Sequence, residues 1–129
     1  MAVTTLTATD LNYHEEQEIS QGGGTAINAA NTMRVLAPRQ GKLLILVDSD
    51  HADTAPVFEI GGTLGTGGFT ALQETAKGDF APAVVGDTKM DLYMVSSDRF
   101  KDQDGYVHWS WATNSAGFVR VFNITEKEA

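Results

Sequence analysis

The stretch S-S-D-R-F-K-D-Q-D-G-Y-V-H-W-S-W, residues 96–111, carries the reading of the fold. Its second half alternates: Val107, Trp109 and Trp111 fall on one face, and Tyr106, His108 and Ser110 on the other. That period of two belongs to a strand. Its first half is a turn, because the glycine of Asp104-Gly105 takes φ > 0 without steric cost. The stretch reads as a polar hairpin corner feeding an aromatic strand.

Working outward, the same pattern recurs. Met90–Val95 alternates, with Met90, Leu92 and Met94 on one face. Residues 118–124 form another strand, joined to the aromatic one by T-N-S-A-G (113–117), polar and glycine-ended as a hairpin loop should be. The clearest strand is K-L-L-I-L-V-D (42–48), apolar on both faces and therefore central. Shorter candidates are 33–36, stopped by Pro38, then 57–60 and 69–72, and 83–85 is a short apolar segment. Residues 39–41 and 74–80 read as turns, and 27–30 as a short strand or one turn of helix. Seven to nine short strands with no long amphipathic helix make an all-β protein, a sandwich, jelly roll or small barrel. The expected core is Leu44, Leu46, Phe58, Ile60, Leu92, Val107, Trp109 and Val121.

The N-terminal segment reads differently. V-T-T-L-T-A (3–8) is rich in β-branched residues and suits a short strand or an extended arm. Residues 10–21 are acidic and poorly patterned, with Thr9 or Asp10 placed to cap one helical turn. Gly22-Gly23-Gly24 is then a break that sets an arm, residues 1–24, apart from a single domain over 25–129. The tail 125–129 is charged and expected to fray.

Composition narrows the function classes. At 129 residues the chain is long enough for one self-sufficient core. It has no Cys, which removes disulfides, thiolate metal sites and a Cys nucleophile. The net charge is −8 and no Lys or Arg precedes Arg34, a poor basis for holding phosphates, so no nucleic-acid partner is expected. The longest aliphatic run, residues 43–47, is far below the roughly 20 residues of a membrane helix, so no membrane partner is expected either. No basic and apolar leader opens the sequence, which suggests synthesis in a cytoplasm.

Candidate chemical motifs fall short one by one. Asp48, Asp50 and Asp53 alternate as calcium ligands would, but the loop lacks the required glycine and helices. Asp98, Asp102 and Asp104 lie beside Arg99 and Lys101 and read as a solvated charged turn. The loop G-G-T-L-G-T-G-G (61–68) has neither G-x-G-x-x-G nor a following Lys-Ser or Lys-Thr, and no helix opens after it. His14, His51 and His108 are dispersed, and His108 reads as a half-exposed sheet residue with no orienting partner. No G-x-S-x-G elbow occurs. Neither an enzyme nor a cofactor is expected.

Three ordered segments carry a family likeness: A-V-T-T-L-T-A-T-D-L-N-Y (2–13), P-R-Q-G-K-L-L-I-L-V-D-S (38–49), and the corner with its aromatic strand followed by G-F-V-R-V-F (117–122). This order resembles the small head proteins of tailed bacteriophages, the decoration or minor capsid proteins with a jelly-roll-type β-sandwich. The resemblance implies a virion structural protein, made in the host cytoplasm and assembled on the capsid surface. Its implied partners are the major capsid protein and further copies of itself, a homo-oligomer with a trimer favoured. An extended N-terminal arm would then meet the capsid through Val3, Thr5, Leu6, Leu11 and Tyr13, adding main-chain hydrogen bonds as an extra strand does. The alternative is a carbohydrate- or host-surface-binding β-sandwich module that stacks its ligand on Tyr106, Trp109 or Trp111.

Overall fold

A computed structural model describes residues 2–14, 16–37, 42–59, 80–95, 100–102 and 104–128. It contains nine strands among these residues: β1 (Val3–Leu6), β2 (Thr9–Tyr13), β3 (Thr25–Ala26), β4 (Thr32–Leu36), β5 (Lys42–Ser49), β6 (Pro56–Phe58), β7 (Met90–Val95), β8 (Tyr106–Trp111) and β9 (Gly117–Glu128). They form two sheets. One is four-stranded in the order β1-β4-β8-β6; the other is five-stranded in the order β2-β9-β5-β7, with β3 also on β9. The β1–β4 and β2–β9 pairs are parallel and the rest antiparallel, so both sheets are mixed. The sheets pack into an all-β sandwich, as the alternation predicts.

From β3 to β9 each strand lies in the opposite sheet from the one before it. This corrects two expected hairpins. The corner before Tyr106 carries the chain from β7 in one sheet to β8 in the other, and residues 113–117 carry it from β8 back to β9. Turn chemistry is the same in a hairpin and in a corner, so the sequence does not separate them. At the second corner Asn114 has φ 72°, Gly117 has φ 133°, and a Cβ on Gly117 would lie 2.0 Å from the Asp48 carbonyl. Only glycine lets β9 begin this close to β5.

The core lies between the sheets. Met33, Val35, Phe58, Val107 and Trp109 from one side meet Leu43, Ile45, Val47, Tyr93, Val95, Val119 and Val121 from the other. Of the expected core, Leu46, Phe58, Val107, Trp109 and Val121 are buried, Leu44 is half-buried, and Ile60 lies outside the described residues. Leu92 is a correction: it is 58% exposed. β7 turns Asp91, Tyr93 and Val95 inward instead, because the Tyr93 ring packs on Phe58 at 5.6 Å and its hydroxyl donates to Asp91 at 3.3 Å.

Three smaller expectations also change. Residues 9–13 form β2 rather than a helical turn, and the C-terminal strand runs on to Glu128, because β2 lies alongside it with Tyr13 opposite Glu128. Residues 27–30, expected as a short strand or one turn of helix, are neither: the strand lies just before them at β3, and 29–30 form a turn. The turn at 39–41, the glycine loop at 61–68, the strand at 69–72 and the turn residues 74–79 lie outside the described residues.

Candidate functional site

The five candidate partner-binding residues lie along one side of the sandwich. β1 is the edge of the four-stranded sheet and β2 the edge of the other, so one short run of chain borders both sheets. The glycine break at 22–24 falls between strands of this one sandwich, since β1 and β2 pair with β4 and β9 beyond it. Val3, opposite Thr32, is 46% exposed, and Tyr13, opposite Glu128 after a register shift, is 54% exposed. Thr5 is exposed and its hydroxyl accepts from Arg34 Nε at 2.9 Å. Leu11 is half-buried against Ile124. Leu6 belongs to the hydrophobic core, and its side chain is spent inside the molecule.

The ladder shows which backbone groups of β1 face away. The Thr32 amide donates to the Ala2 carbonyl at 3.1 Å. Alternate residues of a strand point to alternate sides, so Thr4 and Leu6 also face β4, and the amides and carbonyls of Val3 and Thr5 face outward. Beside this edge is a cavity of about 430 Å³ lined by Thr5, Leu6, Ala8, Leu36, Tyr106 and Asn123, among others. Its floor is apolar, with one polar pair where Asn123 Nδ2 donates to Asp10 Oδ1 at 3.1 Å. Asn123 Oδ1 is buried there with no hydrogen-bond partner. Arg34 ties this side together, since its guanidinium also lies 4.1 Å from the centre of the Tyr106 ring.

A second constellation escaped the sequence reading. His108 Nε2 and Asp102 Oδ2 lie 2.6 Å apart, and the residues are only 4% and 2% exposed. This corrects the half-exposed histidine and the fully solvated turn. Asp102 Oδ1 accepts from the amides of Asp104 (2.9 Å) and Tyr106 (3.0 Å), so one carboxylate closes the corner and roofs the strand. Burial pushes the Asp102 pKa up, but the hydrogen bonds from Tyr106, His108 and Asp104 outweigh it and hold the carboxyl below its ordinary value. The carboxylate, held ionised, accepts a hydrogen bond from His108 Nε2–H, and Nδ1 is buried without a partner.

The pair resembles half of a catalytic triad, but among the described residues it has no serine as a third member. Ser110, the next residue on that face, donates to Glu59 Oε1 at 3.2 Å. Both members of the pair are closed from solvent, so the arrangement fixes the corner rather than meeting a substrate. No signal in the sequence marks it beyond an Asp and a His six positions apart.

The other candidates are dispersed. Asp48 sits in β5, 5% exposed, and its Oδ2 accepts from the Gly22 amide at 2.7 Å, while Asp50 and Asp53 point to solvent. That bond straps the glycine break over the sheet, and Arg120 Nη2 holds the Ser20 carbonyl at 3.1 Å. Gly24, at φ 104°, passes so close to β9 that a Cβ would meet the Val119 carbonyl at 2.6 Å. Among the described residues no three His, Asp or Glu side chains gather as a metal site. Asp98 and Arg99 lie outside the described residues. Trp109 and Trp111 are buried, and Tyr106 is half-buried under Arg34.

Comparison with known proteins adds no relative: no family model, curated protein or solved structure matches the chain.

Proposed function

We propose that this chain is a non-enzymatic virion structural protein that binds the outside of a phage capsid lattice and stabilises it, a decoration or cement protein. The observation that carries the reading is the bordering of both sheets by the single segment β1–β2. Its outward amides and carbonyls at Val3 and Thr5 have no strand beside them among the described residues. An extended strand of the major capsid protein adds there through main-chain hydrogen bonds, and its side chains give specificity. The open cavity of about 430 Å³ beside β1 leaves room for a side chain of that strand. The likeness of residues 2–13, 38–49, 98–111 and 117–122 to phage head proteins points the same way.

The test is to mix the purified chain with undecorated capsids and measure saturation and stoichiometry by cryo-microscopy. Saturable binding with density along β1 supports the reading. Val3→Pro removes an outward amide without touching the inner ladder, and it should weaken binding by about tenfold, the worth of one or two edge hydrogen bonds. Deleting residues 1–13 is a poorer test, since it removes two strands and the buried Leu6. Unsaturable or absent binding by the intact chain overturns the proposal.

A further inference from the structure

The opposite side of the sandwich has its own unpaired edge. β7 is outermost in the five-stranded sheet, and among the described residues no strand pairs with its far side. The hydrogen bonds of β5 show which groups of β7 point outward. The Ser49 amide donates to the Lys89 carbonyl at 2.9 Å, and the Asp50 amide to the Ala116 carbonyl at 2.9 Å. Odd-numbered residues of β5 therefore bond to β7, and even-numbered ones to β9. In the register running from Leu43↔Val95 to Asp48↔Met90, the backbones of Asp91, Tyr93 and Val95 face β5. The backbones of Met90, Leu92 and Met94 face outward. Their side chains are 43%, 58% and 58% exposed, a bare apolar row that Leu44 and Leu46 extend inward. An apolar, unpaired edge strand is a template for another strand.

We propose that β7 pairs antiparallel with β7 of a second copy, about a two-fold axis at Leu92, joining two five-stranded sheets into one. The segment M-D-L-Y-M (90–94) is nearly symmetric about Leu92. Pairing on that axis sets Leu92 against its own counterpart and Met90 against Met94 of the other copy, and every outward amide of the row meets a carbonyl. Charge selects this register. A shift of one pairing step in one direction opposes two Asp91 carboxylates directly, and in the other it opposes two Tyr93 rings that already pack on Phe58 and Phe80. The Leu92 register places Asp91 across from Tyr93, whose hydroxyl already donates to that carboxylate within its own chain. Two chains of charge −8 repel, and the outward row of β7 is an uncharged strip on which they can meet.

Three side chains and one strand edge come to roughly half of the ~800 Å² per partner of a standard interface. The pair therefore forms weakly in dilute solution and fills where copies are concentrated on a surface. It is a two-fold contact, so a trimer would need a different surface. This inference does not depend on capsid binding, because its test uses the free chain.

The experiment is sedimentation velocity on the full chain from micromolar to millimolar concentration. The wild type should pass from monomer to dimer. Leu92→Lys and Leu92→Glu should each weaken association by at least about tenfold, with unchanged circular dichroism and Tm, since residue 92 is exposed. Mixing the two variants should restore the dimer, because the axis sets residue 92 against itself. A wild type that stays monomeric or forms trimers overturns the proposal. So does a dimer that either variant retains, or a mixture of folded variants that fails to pair.

Discussion

Strands β7 and β8 alternate with the same period, and their outer faces meet opposite fates. β8 lies between β4 and β6, and its outer face is polar. That face is nonetheless buried at His108, because the Asp102 corner folds over it and supplies the carboxylate the imidazole needs. β7 lies at the edge, and its outer face is apolar yet bare at Met90, Leu92 and Met94. The chain covers the face whose imidazole needs a hydrogen-bond partner and leaves open the face that another strand can cover. A period of two shows which residues share a face; whether that face is closed depends on neighbours far away in sequence.

The contrast can be broken most severely at β8. Trp109→Ala removes the largest fully buried side chain and should cost about 3–5 kcal/mol, read by urea denaturation. Asp102→Asn keeps an oxygen for the backbone amides but takes the charge from His108, and should cost about 1–3 kcal/mol. The Asp102 carboxyl titrates below its ordinary value in the folded state, so the unfolded chain binds its proton first as pH falls. Its contribution is complete above the ordinary carboxylate pKa, about 4. It is lost as pH falls through the lower folded value, and the asparagine variant should lose this part of the acid dependence of stability.

On β7 the effects are smaller. Tyr93 is pushed up from 10.0 to about 12 by burial and by the Asp91 carboxylate that its hydroxyl meets. The folded chain keeps a proton that the unfolded chain loses, so this contribution is whole below pH 10 and declines as pH rises towards 12. Tyr93→Phe should cost about 0.5–1.5 kcal/mol and remove this alkaline decline, with absorbance titration as the check. Smallest is Leu92→Lys, expected to shift stability by no more than about 0.5 kcal/mol while it weakens self-association by at least about tenfold.

Much of the sandwich is legible in the sequence. The two apolar faces of β5 mark it as central, and it is paired on both sides. The inward set Val107, Trp109 and Trp111 is also read correctly. What stays hidden is non-local. On β7 the alternation makes the Met90, Leu92 and Met94 face look like the core face, and only the packing of Tyr93 on Phe58 and Phe80 decides that Leu92 faces out. β1 and β2 read as part of an arm over residues 1–24 because parallel pairing with β4 and β9, far along the chain, leaves no local mark. His108 looks partnerless because Asp102 reaches it around a corner rather than along a strand.

The most direct test of the contrast between β7 and β8 is amide hydrogen exchange, followed residue by residue by NMR at dilute and concentrated protein. The Leu92 amide should exchange rapidly when dilute and slow as concentration rises, while the amides of β8, paired on both sides, stay protected throughout. A Leu92 amide protected at every dilution, or one equally fast at millimolar protein, would contradict the account.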